Sequence, residues 1–560
     1  MSNSAAKNVR HERAPQALSG DTEQRLEKIW KRAYTAKSKE DLLGLYADWA
    51  EKYDEDHEAV GFFGHVSASR LLVKHLDSKR QAAVLDAGAG TGAAGVALAA
   101  LGLRNLTALD LSPHMLAKAE EKGVYRRLVQ ANLGLPVDAL PINHFDAAIL
   151  VGVFSYGQAP AHALEEILPL VKPGGLIVFT MRTDFHDADA MGVRSKMAEL
   201  ERQGAWQAVE VTEPELYLPN KDPRATFRVW CYRVRAEKFP PVDQAFASAV
   251  RSALTAPTSV KRLDHRYIWN SRASRLYNRY IETREYYLND SEEEILRTNA
   301  TDIINDESTI VELGCGSARK VKYLLSAADR RSDLDGLTYV PIDLSPGALK
   351  ATRQEVDSCY QGRIAVEPLH ASFARALPAV AERQGKLLLF FGSSIGNIES
   401  LEETVAFLKR VRACMGPRDR FVVGMDLHKD EEVLRSAYQA GEANLVFFLN
   451  MVRRINHELD ARFDLSAFEQ DSSYDEDEPY QGIEDRCVNF TLVTRKPQRV
   501  RVDRLDLDVE LDAGDSIQVG ISRKFRREDI QRLAALAGFR LARQWQDRRH
   551  YFSVNELLPA

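Results

Sequence analysis

Two short segments of the sequence combine acidic residues and glycines in a spacing typical of a ligand-binding turn. The first is Val84-Leu85-Asp86-Ala87-Gly88-Ala89-Gly90-Thr91-Gly92, and the second is Ile310-Val311-Glu312-Leu313-Gly314-Cys315-Gly316-Ser317. In each, an apolar strand ends in an acidic residue, and a glycine turn then leads into a helix. Glycines let the backbone turn tightly and approach a ligand closely. The free N–H groups at the start of the helix point towards the same place.

A second acidic residue follows each turn, at the end of the next apolar segment. Asp110 and Asp343 each precede a Leu-Ser-Pro sequence. An acidic residue at this place accepts hydrogen bonds from the ribose hydroxyls of a bound nucleoside. Because turn and Asp occur together twice, the sequence predicts two nucleoside-binding domains in tandem. The alternative for either copy is an ordinary strand-to-helix turn without a ligand.

The position of the first acid separates two kinds of ligand. A dinucleotide site favours Gly-x-Gly-x-x-Gly, because its pyrophosphate rests on the helix N-terminus. Here a carboxylate precedes the first glycine, where it would repel a pyrophosphate and attract a cation. S-adenosyl-L-methionine carries an ammonium and a sulfonium, so it is the predicted cofactor. The residues predicted to bind it in the first domain are Asp86, Gly88, Gly90, Gly92, Asp110 and Asn132.

Strands and helices alternate in the segment that positions these residues. The candidate strands are Ala83–Asp86, Leu106–Asp110, Arg127–Gln130, Phe145–Val151 and Leu176–Arg182. This order predicts an α/β fold, with a parallel sheet covered by helices on both faces. Ligands bind at the carboxyl ends of the strands in such folds, and Asn132 falls just past one of these ends.

Composition bounds the class of protein. A chain of 560 residues suggests two to four domains. With a net charge of −6 and dispersed Arg and Lys, we expect no nucleic-acid partner. The five cysteines lie far apart, which predicts no metal site and a reducing cytoplasm. No apolar run is long enough for a membrane span. Residues 1–21 are predicted to be a disordered tail.

Further motifs extend the pattern around the first turn: Leu45–Ala50, Tyr53–Asp56, Met115-Leu116, Lys122–Tyr125 and Lys172–Gly175. Together they resemble the class I methyltransferases, and within them the methyltransferase-like 27 type, from about residue 45 to 184. The resemblance implies the cofactor but not the acceptor, which depends on variable loops. Tyr46, Trp49 and Tyr53 share one helical face and either cap the cofactor pocket or pack in the core.

The second half carries another set of motifs: Arg272–Tyr277, Glu285–Tyr287, Glu312–Ser317, Tyr339–Asp343, Phe391–Asn397, Ala437-Tyr438 and Ser522–Phe525. They resemble the histidine-specific α-N-methyltransferases of ergothioneine synthesis over nearly all of residues 262–553. Relatives of that family methylate tryptophan-derived amines. The residues that the resemblance places at the cofactor are Gly314, Gly316, Lys320 and Asp343, together with Glu312 and, at the adenine, Ser372 and Phe373.

The same resemblance assigns the acceptor side of the second domain. Tyr286, Asn397 and Tyr438 match residues that hold the carboxylate and amine of an amino acid, and we predict them to be catalytic. Ser522 matches a contact to the acceptor side chain. Two residues before it, where the family has a Glu that pairs with imidazole, this sequence has Gly520. Phe490 replaces a slimmer residue in the same pocket.

The loss of that acid predicts an acceptor other than plain histidine, larger or aromatic, because selectivity rests on polar partners of this kind. We therefore expect Gly520→Glu to improve the reaction with histidine. The alternative is that one of residues 475–478 supplies the missing acid. The acidic stretch around them, residues 472–478, is otherwise expected to be a solvated loop.

The sequence thus predicts two doubly wound, Rossmann-like class I methyltransferase domains. They are expected at residues 22–240 and 241–560, the second with an added α+β substrate subdomain at about 243–304 and 434–524. The predicted function is bifunctional: N-methylation of an amino-acid-like small molecule by the second domain, and a second methyl transfer by the first. Alternatives are a histidine Nα-methyltransferase with a regulatory or scaffold first domain, and RNA methylation, which would require a basic face. The oligomeric state stays open.

Overall fold

The computed structural model describes residues 18–35, 38–77, 81–236, 242–330, 334, 336–439 and 441–560. Its backbone contacts divide the chain into two units, Met1–Pro241 and Val242–Ala560. Most of the predicted tail and the predicted boundary at residue 240 lie outside the described residues. Helix α1 begins at Gly20, within the last two residues assigned to the tail, because the Ser19 hydroxyl accepts a hydrogen bond from the Thr22 N–H.

The first unit alternates helices and strands. Its helices are α1 (Gly20–Thr35), α2 (Lys39–Trp49), α3 (Tyr53–Val60), α4 (Gly64–His75), α5 (Ala93–Ala100), α6 (Pro113–Glu121), α7 (Ala163–Ile167), α8 (Thr183–Asp187) and α9 (Val193–Arg202). Its strands are β1 (Ala83–Ala87), β2 (Asn105–Asp110), β3 (Arg127–Gln130), β4 (Phe145–Phe154), β5 (Val171–Arg182), β6 (Trp206–Val211), β7 (Glu215–Leu218) and β8 (Asp222–Val234).

These strands form one sheet in the order β3-β2-β1-β4-β5-β8-β6, with β7 paired to β8. Strands β1 to β5 are parallel, whereas β8 is antiparallel to its neighbours. Consecutive residues of β1 belong to different hydrophobic clusters, because Val84 packs on one face of the sheet and Leu85 on the other. The strand order reverses between β1 and β4, and ligands bind at such a reversal in doubly wound folds.

The second unit contains the remaining elements. Its helices are α10 (Gln244–Thr255), α11 (Ser271–Tyr280), α12 (Tyr287–Ile303), α13 (Val321–Arg330), α14 (Pro346–Tyr360), α15 (Phe373–Val380), α16 (Leu401–Ala413), α17 (Glu431–Tyr438), α18 (Gly441–Phe448), α19 (Asn450–Glu458) and α20 (Arg527–Leu536). Its strands are β9 (Val260–Arg262), β10 (Thr309–Leu313), β11 (Thr338–Asp343), β12 (Ala365–Val366), β13 (Leu369–His370), β14 (Lys386–Phe390), β15 (Arg420–Asp426), β16 (Phe468–Tyr480), β17 (Ile483–Thr494), β18 (Gln498–Val502), β19 (Leu507–Leu511), β20 (Ser516–Arg523), β21 (Phe539–Gln546) and β22 (Phe552–Pro559).

The main sheet of the second unit has the order β12-β11-β10-β14-β15-β22-β21, with β13 paired to β11. It therefore repeats the doubly wound arrangement of the first unit, again with antiparallel strands after the fifth position. Both halves are α/β folds of the predicted class. The reversal of strand order now lies between β10 and β14, beside the second glycine turn.

A separate sheet, in the order β16-β17-β20-β9, accompanies this core. Its strands fall within the two segments predicted for the substrate subdomain. The expectation of a loop at residues 472–478 was wrong, because this stretch belongs to β16. Polar partners on the neighbouring strand hold its acids: Arg486 pairs with Glu476 over 2.9 Å, and the Asn489 amide donates to Asp475 over 2.8 Å.

In the described part of the chain, no helix combines the length and apolar character needed to cross a bilayer. The same residues include no cluster of three or more side chains able to hold a metal ion.

Candidate cofactor and acceptor sites

Asp86, at the end of β1, is a buried carboxyl group with one free oxygen. Oδ2 accepts a hydrogen bond from the Tyr125 hydroxyl over 2.5 Å, whereas buried Oδ1 has no partner among the described residues. Burial raises the pKa of Asp86 to about 7. Burying a hydrogen-bond acceptor without a partner lowers stability, so this oxygen suits a ligand that carries a positively charged hydrogen-bond donor.

Asp110 joins the glycine turn to the end of β2. The Gly90 N–H donates to Oδ2 over 2.8 Å, and the Ser112 N–H donates to Oδ1 over 2.9 Å. A carboxylate has about four lone-pair positions, so each oxygen can still accept from a ribose hydroxyl. At Gly90, where φ is 53°, a Cβ would point into open space. The residues present therefore fit the predicted cofactor.

The other predicted residues of this site lie around the same turn. Gly88 and Gly92 have positive φ, and a Cβ at Gly88 would lie 2.5 Å from Val153 Cγ2. Glycine is thus required for conformation and for space. The Asn132 side chain accepts from the Gly134 N–H over 2.8 Å, which holds the turn after β3.

The aromatic residues of α2 and α3 pack together, with Trp49 in a small core and Tyr46 and Tyr53 against it. Trp49 is buried, and its indole donates to Asp56 over 2.9 Å. The Tyr46 hydroxyl donates to Gln158 over 2.6 Å, and both burial and the charge of Asp110 raise its pKa. Trp49 is therefore core, whereas Tyr46 also lies near Asp110, the residue predicted to bind the ribose.

The second unit contains a cavity of about 890 Å³ that reaches from the second glycine turn to the residues predicted to hold the acceptor. All the residues predicted for this domain line it except Gly520. They are Tyr286, Glu312, Gly314, Gly316, Lys320, Asp343, Ser372, Phe373, Asn397, Tyr438, Phe490 and Ser522. The structure thus brings together residues from the whole length of the unit.

The cofactor end of this cavity repeats the first site. The Gly316 N–H donates to Asp343 Oδ2 over 3.0 Å, and the Ser345 N–H donates to Oδ1 over 2.8 Å. Glu312 accepts from the Tyr339 hydroxyl over 2.5 Å, and burial raises its pKa to about 8. The same donors and acceptors therefore fit S-adenosylmethionine in both halves.

Two more predicted cofactor residues have defined neighbours. Lys320 pairs with the buried Glu292 over 2.6 Å, and although burial lowers the pKa of Lys320, this carboxylate raises it further. A Cβ at Gly314 would lie 3.5 Å from the Phe373 ring, which stands over the turn. Ser372 begins α15 without a side-chain capping bond.

Asn397 ends a short 3₁₀ helix, Ser394–Asn397, after β14. A Cβ at Gly396 would lie 2.9 Å from the Arg523 carbonyl oxygen, so this glycine lets the turn approach β20 closely. Among the described residues, none hydrogen-bonds to the Asn397 side chain. Its amide can therefore both donate to and accept from an acceptor molecule.

The two adjacent tyrosines point in different directions. Tyr286 lines the cavity, where its hydroxyl lies 3.3 Å from that of Tyr277. Tyr287 instead donates to the buried Asp426 over 2.8 Å. Tyr286 is therefore the one that can contact an acceptor.

A buried ion cluster supports the acceptor end. Lys524 Nζ donates to the Tyr438 hydroxyl over 2.8 Å and to Ser522 Oγ over 2.6 Å, and it pairs with Asp426 over 2.8 Å. Lys429 pairs with the same carboxylate over 2.6 Å. Burial alone would raise the pKa of Asp426, but the two ammonium groups lower it. The hydroxyl groups of Tyr438 and Ser522 are thus held in place by hydrogen bonds from the buried ammonium group of Lys524.

Gly520 does not leave the open space that the sequence suggested. A Cβ built at this residue would lie 2.4 Å from Nδ1 of His265, which lines the cavity. A side chain at position 520 would therefore require His265 to move, which the expected gain with histidine from Gly520→Glu did not take into account. Phe490 lines the cavity as predicted, with its ring 4.7 Å from Phe448 and 5.1 Å from Tyr438. No acid from residues 475–478 is found among the described residues of the lining.

Sequence reasoning missed His265, Glu292, Asp426 and the role of Lys524. Lys524 belonged to a quoted motif, but a lysine gives no sign in the sequence that it will be buried. His265 and Glu292 belong to no motif that we recognised, and both act through contacts with residues distant in the sequence.

Comparison with known families agrees with this geometry. Residues 85–179 match the model of a methyltransferase domain, and residues 246–558 match that of the histidine-specific, SAM-dependent methyltransferases. Two doubly wound folds with these turns define an S-adenosylmethionine-dependent methyltransferase. Since the second match spans more than half of the chain, the protein belongs to the histidine-specific methyltransferase family.

Three relatives show the range of similarity. The histidine N-alpha-methyltransferase of Mycolicibacterium smegmatis is 32% identical over 308 residues, or 54% of this chain and 92% of the relative. The 4-dimethylallyltryptophan N-methyltransferase of Trichophyton verrucosum is 25% identical over 331 residues, 56% of this chain and 92% of the relative. Methyltransferase-like protein 27 of Homo sapiens is 34% identical over 169 residues, 30% of this chain and 69% of the relative.

Proposed function

We propose that the second domain methylates the α-amine of an amino acid, or of a molecule derived from one, other than plain histidine. The supporting observation is the single cavity in which Asn397, Tyr286 and Tyr438 stand beside the cofactor turn. An amide and two phenolic hydroxyls can hold an α-carboxylate and an amine without a charged partner. Relatives that are named for acting on histidine and on a tryptophan derivative make both acceptor classes reasonable.

When bound, S-adenosylmethionine supplies a methyl group on a sulfonium, which is a good leaving group. The task of the chain is then to hold the amine nitrogen in line with that methyl and to exclude water. Asn397 Oδ1 can accept a hydrogen bond from the neutral amine and so direct its lone pair. With the cofactor held by the turn at Gly314 and Gly316 and by Asp343, the amine nitrogen would receive the methyl group from the sulfonium, and the methylated ammonium would then release a proton to solvent. No strong base is needed for this step.

For the first domain we propose a second methyl transfer, to a small molecule. Asp86 with its free oxygen and Asp110 with its remaining lone pairs retain the features that a cofactor needs. A domain kept only as a scaffold has no need of an unpaired buried carboxylate oxygen, because such a group costs stability. We further propose a cytoplasmic location, since all five cysteines are free thiols. We also propose a role in secondary metabolism, since one relative is named for 4-dimethylallyltryptophan, which is not a building block of proteins.

The second candidate is a histidine Nα-methyltransferase with a regulatory or scaffold first domain. The family match and the relative from Mycolicibacterium smegmatis favour it. Gly520 and the aromatic lining next to it favour the first proposal instead, because neither offers a charged partner to an imidazole.

An acceptor screen with labelled cofactor separates the two candidates. The full-length protein is incubated with histidine, with aromatic amino acids and with their decarboxylated amines, and the products are identified by mass spectrometry. We expect α-N-methylated aromatic products and little methylated histidine. Efficient methylation of histidine would replace the first proposal by the second. Asp110→Ala and Asp343→Ala then assign each product to one domain.

A further inference from the structure

His265 occupies the place of a side chain at position 520. A Cβ at Gly520 would lie 2.4 Å from Nδ1, 3.1 Å from Cγ and 3.3 Å from Cβ of His265. The severe overlap is with Nδ1, so any side chain at position 520 would require the imidazole to leave its place, while the contact with Cβ would stay tight at 3.3 Å. Gly520 lies in β20, outside the group of glycines with positive φ, so its backbone alone would accept other residues. Glycine is required here by the imidazole.

Local pairing fixes this arrangement. Strand β9 runs parallel to β20, and the Leu263 N–H extends the pairing by donating to the Gln518 carbonyl over 2.9 Å. Asp264 then starts a 3₁₀ helix, His265–Ile268, by accepting from the Arg266 N–H over 2.8 Å. His265 is thus held above Gly520 by backbone hydrogen bonds on both sides.

The imidazole is uncharged where it lies. Its Nδ1 is buried without a partner among the described residues, and burial lowers the pKa of His265 to about 4. A neutral ring can close an apolar site, whereas a cation there would carry a desolvation cost.

Further aromatic rings continue from His265 along the cavity. Its ring centroid lies 5.9 Å from that of Trp269, which lies 5.6 Å from Phe447. On β17, Phe490 is the direct neighbour of Gly520 and contacts Phe448. We call these five residues, all of which line the cavity, the aromatic compartment.

We propose that His265 is a specificity-determining residue: it takes the place of a side chain at position 520 and closes the aromatic compartment around the neutral aromatic side chain of the acceptor. This inference rests on the proposed function of the second domain and names its substrate class as aromatic α-amino acids. The recognition is by shape and by ring contacts, since none of these five residues is an acid, although Asp264, Glu399 and Glu403 also line the cavity.

A double-mutant cycle in the full-length protein tests the pairing. Gly520→Ala should lower kcat/KM for tryptophan about tenfold, because one added carbon overfills the site. In the His265→Ala background the same change should have less than about a twofold effect, because the space is then open. His550→Ala, which removes an exposed imidazole away from the cavity, is the matched control. Additive effects of the two changes would overturn the role of His265.

A gain of function tests the specificity. His265→Ala combined with Gly520→Glu places a carboxylate in the emptied space and should tighten binding of histidine to the S-adenosylhomocysteine complex about tenfold, measured by calorimetry. Gly520→Glu alone should bind neither amino acid well while still binding the cofactor product. If the double variant binds that product but gains nothing with histidine, the inference is overturned. If the native protein instead prefers histidine, the proposed function is contradicted. The double-mutant cycle, measured by acceptor binding, would then still show whether His265 and Gly520 are coupled.

Discussion

Lys524 donates a hydrogen bond to the hydroxyl oxygen of Tyr438 over 2.8 Å. Its other two N–H groups are used by Ser522 and Asp426. Because both hydroxyl oxygens accept from the ammonium, their protons must point elsewhere. One can bridge the 3.1 Å between Tyr438 and Ser522, and the other is available to the nearby Asp426 carboxylate or to a molecule in the cavity. A buried cation thus sets which way two predicted acceptor contacts donate.

We expect Lys524→Met to raise the KM for the acceptor about tenfold or more while cofactor affinity stays within about twofold. The reason is the loss of hydrogen bonds to a charged group, each worth about 1.5–3 kcal/mol. Lys429→Met is the matched control, since it removes the other ammonium from Asp426 without contacting Tyr438 or Ser522. Steady-state kinetics and calorimetry on both variants decide the matter. An equal rise in KM in both variants would show that the net charge around Asp426 determines acceptor binding, and not the hydrogen bonds from Lys524 to Tyr438 and Ser522.

Asn397→Ala should reduce turnover in the second domain about a hundredfold and leave the cofactor dissociation constant nearly unchanged. The side chain lines the cavity, and in the proposed function it orients the amine, so its loss should affect alignment more than cofactor binding. Asn489→Ala, on β17 and outside the lining, serves as the control. A large loss of cofactor affinity with an unchanged acceptor KM would place Asn397 on the other side.

Each Asp that is predicted to bind a ribose should affect cofactor binding in its own domain only. Asp110→Ala is expected to abolish or weaken about ten- to hundredfold one of two cofactor sites, and Asp343→Ala the other. Each change removes the acceptor of two backbone N–H groups, as well as the predicted contact with the ribose. Calorimetric titration reports both stoichiometry and affinity. If either variant weakened both sites equally, the two sites would not be independent.

Cofactor affinity should fall as the pH is lowered, and at different values in the two domains. The pKa of Asp86 is raised to about 7 and that of Glu312 to about 8, in both cases mainly by burial. Below these values the carboxyl groups are protonated and lose their attraction for a cationic ligand. Affinity should then fall by up to about tenfold per pH unit. Cofactor titrations from pH 6 to 9 measure this change. Asp86→Asn should lose the pH dependence of cofactor affinity in the first domain, and Glu312→Gln that in the second.

Local patterns allowed much of this structure to be predicted. An acid, a glycine turn and a downstream Asp are close in sequence and fix one another through short hydrogen bonds, as Gly90 does with Asp110. The same holds for the alternation of strands and helices that places both turns at a reversal of strand order. Where neighbours in sequence determine the contacts, the sequence is sufficient.

The remainder depends on contacts between distant segments. His265 meets Gly520 only because β9 pairs with β20, and neither residue carries a sign of the other. Lys524 reads as a surface residue until Asp426 is placed beside it. The acids of β16 read as a loop because their partners, Arg486 and Asn489, stand on the next strand.

Strand β16 forms one edge of its four-stranded sheet, and Asp475 and Glu476 are exposed along it. An edge strand offers unpaired N–H and C=O groups to any passing chain, and charged side chains are a common protection against such pairing. We therefore expect the acidic residues on this edge to disfavour pairing between copies of the chain, even though Glu476 also pairs with Arg486. Replacing Asp475 and Glu476 by Thr should leave the cavity intact but make the concentrated protein prone to self-association, which light scattering would detect. In the native chain, added salt should promote self-association, because it screens the charges of these acids.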